Sequence, residues 1–190
     1  MPPKNKFTKD EIVKTALDIV RENGINDLTA RSLAVKLGCS VKPIFGLFSN
    51  MEQLRTEVMS SAQKIYKSYL KNGMTEGKYP EYKASGMAYI RFAKEEKQLF
   101  RLLFMRSRPK EQREDGRDDI KPLIELIQKN TGLNEDEAYL FHLEMWIYVH
   151  GIAAMIATDY LDWDIEFISQ TLTDVYTGLK HSYKIKGEQK

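Results

Sequence analysis

A chain of 190 residues with a hydrophobic fraction of 42% can bury the core of one domain, or of a small domain joined to a larger one. Cys39 is the single cysteine, which excludes an internal disulfide and a cysteine metal cluster. The net charge of +2 hides an asymmetry: residues 1–72 hold 12 Lys and Arg against 7 Asp and Glu, and residues 73–190 hold 17 against 20. A basic first third on an acidic remainder suits an N-terminal nucleic-acid reader with a different module behind it.

In chain order, Met1 to Phe7 is a short basic arm with no apolar run after its charges, so no signal peptide is expected. No stretch approaches the roughly 18 uninterrupted apolar residues of a membrane span. The expected location is cytoplasmic, with no membrane partner. Thr8 to Glu11 is a capping box, and Ile12, Ala16, Leu17, Ile19 and Val20 follow at helical spacing. Asn23-Gly24 ends this first helix, Gly24 being suited to a left-handed cap, and Ile25 and Leu28 pack beneath its end.

Thr29 caps a second helix with Leu33, Ala34 and Leu37 on its apolar face, and Gly38 supplies the turn. Ser40 is the expected cap of a short third helix, Val41 to Leu47, in which Pro43 falls in the tolerant first turn. Ile44, Phe45 and Phe48 are the residues expected to anchor it. Ser49-Asn50 caps a long fourth helix, Met51 to Lys71, which Asn72-Gly73 is expected to stop.

A break at Gly77-Lys78-Tyr79-Pro80 precedes helices at Glu81–Lys94, Leu99–Met105 and Ile120–Asn130, with a polar loop at Arg106–Arg117. Asn134 caps a long helix to Thr158. Asp162 or Asp164 opens the last, which ends near Lys184. No strand-period stretch or internal repeat stands out, so the fold class is all-α with about nine helices.

Two short amphipathic segments around a glycine turn, each opened by a small hydroxyl residue, spell a helix-turn-helix between Thr29 and Leu54. In that motif the exposed early residues of the second short helix read base edges. Ser40, Val41, Lys42 and Gly46 are not needed for the core and form the expected groove-facing set. Lys42 suits guanine or a phosphate, Val41 a thymine methyl, and Gly46 a close backbone approach. Thr29 and Arg31 stand at a helix N-terminus, which favours a phosphate. Phe45 is ambiguous, since an aromatic between Ile44 and Phe48 is more often core. Lys6 of the arm, with Pro43, Leu47 and Asn50, completes the expected DNA-binding set.

Over Thr8–Leu54 the sequence resembles the TetR family of bacterial transcriptional regulators. The resemblance rests on the capped first helix, Thr29-x-Arg31, Leu33-Ala34, Gly38-x-Ser40, Ile44-Phe45-x-x-Phe48, and Glu52 with Leu54. Length and helical layout match throughout, and Trp146 to His150-Gly151 is similar to a signature in one subclass. Phe45 stands where the family usually has Tyr, Met51 where it has a basic residue, and Leu47 where it often has His or Tyr. Each departure removes a phosphate contact and shifts the expected anchoring to Lys4, Lys6 and Lys42.

The resemblance implies an N-terminal helix-turn-helix DNA-binding domain, residues 1–50, and a C-terminal helical ligand-binding and dimerisation domain, residues 51–190. The implied partners are double-stranded operator DNA, a small hydrophobic or aromatic ligand, and a second copy of the chain. No cofactor or metal is implied. Pocket residues would be Tyr89, Phe92, Phe104, Met105, Phe141, Trp146 and His150, the last taken as the one buried polar group. The dimer interface would use Ile147, Gly151, Ala154 and Met155 on one helix and Ile168, Leu172, Val175 and Leu179 on the next.

Enzyme readings find no support. Glu144 and His142 precede His150 by six and eight residues, neither of which aligns them on one helix face. Cys39 has no histidine close to it in sequence to activate it, and no glycine-rich loop cradles a phosphate. The reading is a ligand-responsive regulator, a repressor released by its ligand. The alternative is a helical protein–protein adaptor with a degenerate helix-turn-helix, for which Phe45 and Met51 speak best.

Overall fold

The computed structural model describes residues 7–107 and 117–188. Among them are nine α-helices, one 3-10 turn and no strand: α1 Lys9–Asn23, a turn at Ile25–Asp27, α2 Ala30–Leu37, α3 Lys42–Phe45, α4 Met51–Thr75, α5 Glu81–Glu95, α6 Lys97–Phe104, α7 Arg117–Thr131, α8 Glu135–Ala157 and α9 Ile165–Glu188.

Local chemistry explains where most of these helices begin. Thr8 and Glu11 form the full capping box of α1. Thr29 forms one with Ser32, a partner the sequence reading did not name. Asn50 accepts from the Gln53 amide at 2.8 Å while the Gln53 side chain accepts from the Ser49 amide at 2.7 Å. Asn134 boxes with Glu137 at α8, and Asp164 rather than Asp162 caps α9 by accepting from the Phe167 amide at 2.7 Å. Such caps satisfy first-turn amides that have no intrahelical partner.

Several expected boundaries differ. Ser40 does not cap α3: the N-cap is Val41, which has no side chain to offer, and its carbonyl accepts from both Ile44 and Phe45. The helix is only Lys42–Phe45, continued as a turn through Leu47. Asn72-Gly73 does not end α4, which runs to Thr75. Gly73 serves packing instead, since a Cβ there would lie 2.7 Å from Ala88 Cβ. Gly24 has a positive φ of 87° but an extended ψ of 172°, so it is no left-handed cap; Gly38, at φ 63° and ψ 39°, is one. Helix α7 starts at Arg117, which puts Pro122 inside it. Most of the expected Arg106–Arg117 loop lies outside the described residues.

The chain packs as two compact units, Met1–Ser68 with Glu95–Arg106, and Tyr69–Lys94 with Ser107–Lys190. This packing division does not coincide with a functional boundary at residue 50, because it falls within α4 and assigns α6 to the first unit. The first unit buries Ile12, Ala16 and Val20 of α1, Leu33 of α2, Ile44 of α3, Phe48, Leu54 and Val58 of α4, and Leu99 and Phe100 of α6. Arg21 of α1 donates to both carboxylate oxygens of Glu96 at 2.9 and 2.7 Å, a bidentate pair that fixes the α6 entry against α1.

In the second unit α5 is buried along most of its length, from Tyr82 to Ala93. Gly86 lies where a Cβ would touch Val149 of α8 and Leu172 of α9. Helix α8 is long and apolar enough, by length and composition, to match a membrane span. Its inward line, which includes Phe141, Met145, Val149, Ile152 and Ile156, is packed inside the protein. A second apolar face points out.

Candidate nucleic-acid interface and aromatic cluster

The α2–α3 segment has two opposed faces. Leu33, Ala34, Ile44 and Phe48 are buried. Arg31, Ser40, Val41, Lys42, Phe45 and Gly46 are exposed. Phe45 is therefore not a core anchor. It is 45% exposed and lies one helical turn from Val41, itself 41% exposed. Lys42 stands between them on the same short helix. Asp27 is the last carboxylate before this segment and Glu52 the next after it, so this stretch of chain carries Arg31, Lys36 and Lys42 with no intervening acid in sequence. Lys36 is tied to Glu22; Arg31 and Lys42 form no ion pair among the described residues.

The other expected DNA-binding residues divide by what their side chains already do. Pro43 and Leu47 are half-buried and shape the turn. Thr29 is exposed, but its hydroxyl accepts from the Ser32 amide and meets Ser32 Oγ at 3.0 Å. Asn50 Oδ1 is engaged by Gln53. Both thus act as caps that position the backbone. Arg55, which the sequence reading passed over, donates to the Leu28 carbonyl at 3.3 Å and ties α4 to the segment entering α2. Lys4 and Lys6 lie outside the described residues.

The expected pocket set is brought together only in part. Tyr89 of α5 and His150 of α8 are joined at 2.8 Å between the phenol oxygen and Nδ1, and the Trp146 ring stacks on His150 with centroids 4.9 Å apart. A phenol is the stronger donor and a neutral imidazole nitrogen the stronger acceptor, so Tyr89 donates. Burial holds His150 below the usual histidine range, which keeps the ring neutral.

The other members pack elsewhere. Phe92 meets Tyr69 edge-on at 5.3 Å, and Phe141 packs with Tyr176 and Tyr183. Phe104 and Met105 belong to the first packing unit, where Phe104 packs with Tyr66 and Phe100 and Met105 is exposed.

The most buried histidine is His142, not His150. Tyr82 approaches its Nδ1 at 3.1 Å, and burial lowers its pKa to about 4. Burial also raises the Tyr82 hydroxyl. The signal was present in the sequence: Ala138, Met145 and Val149 place residue 142 on the inward line of α8.

The expected interface residues also divide. Ile147 is 65% exposed and Met155 is exposed, with Gly151 and Ala154 half-buried between them. Ile168 and Leu172 are 2% and 3% exposed, spent inside the protomer, and are withdrawn from the interface. Val175 and Leu179 are half-buried. Phe167, which opens the expected α9 stripe, is exposed, and so are Leu140, Ile165 and, between the two helices, Leu161, which the sequence reading left out.

A two-faced helix-turn-helix ahead of a helical domain defines a DNA-reading regulator fold. Residues 82–175 match the family described as tetracyclin repressor-like, C-terminal domain. The fold is similar to a solved structure from Vibrio parahaemolyticus assigned to the TetR family of transcriptional regulators, with a TM-score of 0.62 and 16% identity over 90% of this chain and 97% of that one. No curated protein matches it in sequence. Residues 82–175 thus carry a TetR-type C-terminal domain, and the chain shares the fold of a TetR-family regulator.

Proposed function

We propose that this chain is a homodimeric DNA-binding repressor whose affinity for its operator falls when a small hydrophobic or aromatic molecule enters the C-terminal helices. The observation that carries the reading is the two-faced α2–α3 segment. Leu33, Ala34, Ile44 and Phe48 are buried behind it, and Arg31, Val41, Lys42 and Phe45 are exposed on a stretch of chain that contains no carboxylate of its own. A short helix held this way enters the major groove while neighbouring cations meet phosphates.

Dimerisation follows from the reach of the motif, because one short helix contacts too few base pairs to be specific and a two-fold pair doubles the site. The outward apolar side chains Leu140, Ile147, Met155 and Phe167 supply a surface that water does not favour. For the ligand, Tyr89, His150 and Trp146 combine aromatic faces with a polar pair, the usual make-up of a small-molecule site. Helix α4 runs unbroken from Met51 to Thr75 through residues of both packing units, so displacement of its later turns would be passed along it. A tenfold repressor response needs about 1.4 kcal/mol of differential binding.

A gel-shift titration of purified protein against the DNA upstream of its own gene tests the reading. The expected result is a retarded complex at moderate salt that a large excess of random duplex does not compete away. Equal competition by random duplex would sink it.

A further inference from the structure

The exposed face of α3 is unusual for a surface that meets a polyanion, because its largest groups are apolar. Val41 and Phe45 lie one turn apart and are 41% and 45% exposed, next to Ile44 and Phe48, which are buried. Neither contributes to the protomer's core, and Lys42 beside them and Arg31 on α2 make no ion pair among the described residues. The charge of the segment favours a polyanionic duplex as occupant, and no carboxylate between Asp27 and Glu52 opposes it. In the major groove of a duplex, the apolar group that a base edge presents is the C5-methyl of thymine.

We infer that Val41 and Phe45 form an apolar reader of thymine C5-methyl groups, and that the operator carries thymine at the positions facing them. The inference rests on the DNA-reading function proposed above and specifies which chemical group confers specificity. Lys42 then supplies the charge-assisted contact that sets register, to a phosphate or to guanine. Phe45 carries no hydroxyl and has only its apolar ring to offer.

The test begins with selection of duplexes from a random-sequence library by the full-length protein. Each thymine of the enriched duplex is then replaced singly by deoxyuridine, which keeps the Watson–Crick face and O4 and removes only the methyl. Burial of one methyl corresponds to about fourfold in affinity, so replacement at a contacted position is expected to weaken binding about fourfold, and about fifteenfold in both half-sites together. In Phe45→Ala or Val41→Ala the thymine-to-uracil ratio at the contacted position should fall to about one. Both side chains are exposed, so both variants should keep the wild-type fold; Val41→Ala carries the test if Phe45→Ala does not.

Three results overturn the inference. Enrichment with no uracil effect at any position removes methyl reading and leaves DNA reading intact. A uracil effect that persists in both variants assigns it to DNA shape rather than to these residues. No enrichment at all removes both the inference and the function on which it rests.

Discussion

The α2–α3 segment and helix α8 are both amphipathic problems, and they resolve in opposite ways. In α2–α3 one side is apolar and buried and the other is mixed and exposed, so polarity shows which way the segment faces, though not where Val41 and Phe45 point. In α8 the inward line of Phe141, Met145 and Val149 and the outward line of Leu140, Ile147 and Met155 are equally apolar. Hydrophobicity then identifies the helix as important without saying which side is the protomer's own core. The two helices teach that an apolar face buried within the chain and an apolar face left exposed look alike in a sequence, and only packing separates them.

The sharpest way to break that contrast is a pair of truncations on α8. Phe141→Ala removes a fully buried ring and should cost about 3–5 kcal/mol, seen as a large drop in thermal midpoint. Ile147→Ala should leave unfolding within about 0.5 kcal/mol when measured at a concentration where the protein is monomeric, and should weaken self-association in sedimentation equilibrium. An equal loss of stability in both would mean that the two faces are not different in kind.

The buried Tyr82–His142 pair gives a second test of the inward face. His142 titrates near pH 4 in the folded chain and near 6.5 unfolded, so between these values the unfolded state binds more protons. Stability therefore falls as pH drops from 6.5 towards 4, by up to about 3 kcal/mol from this group, and is unaffected by it above 6.5. Urea titrations across that window should show the decline, and His142→Asn should flatten it. A slope unchanged in the variant would remove His142 as its source.

A smaller effect is expected where α4 meets α5. Gly73→Ala places a Cβ 2.7 Å from Ala88 Cβ and should destabilise by about 1–3 kcal/mol, despite the better helix propensity of alanine. Adding Ala88→Gly should restore part of the loss, and a double mutant no better than the single would argue against direct contact.

These cases also show what was legible in the sequence. Thr8, Thr29, Asn50 and Asn134 were readable because a cap involves residues three or four apart and nothing else, whereas Asp162 and Asp164 offered the same signal and only the structure chose Asp164. Ser40 failed because α3 is a single turn, too short for periodicity to fix its first residue, and an error of one position rotates every side chain by about 100°. That is why Phe45 read as ambiguous and more often core, whereas it is exposed. Gly73 failed because a local stop signal was overridden by a distant neighbour, Ala88. Ile168 and Leu172 lay on the expected stripe, but their partners are in the same protomer, which no single-chain pattern reveals.

The most direct test of the central claim, that the outward face of α2–α3 reads DNA, is fluorescence anisotropy of the wild type and Lys42→Ala on a selected duplex and its scrambled counterpart across a salt series. The wild type should prefer the selected duplex by at least a hundredfold at moderate salt. Lys42→Ala should lose about tenfold on the selected duplex, with a salt slope about one unit shallower if Lys42 meets a phosphate and unchanged if it reads guanine. Equal affinity of the wild type for both duplexes, or an unaltered affinity in Lys42→Ala, would contradict the account.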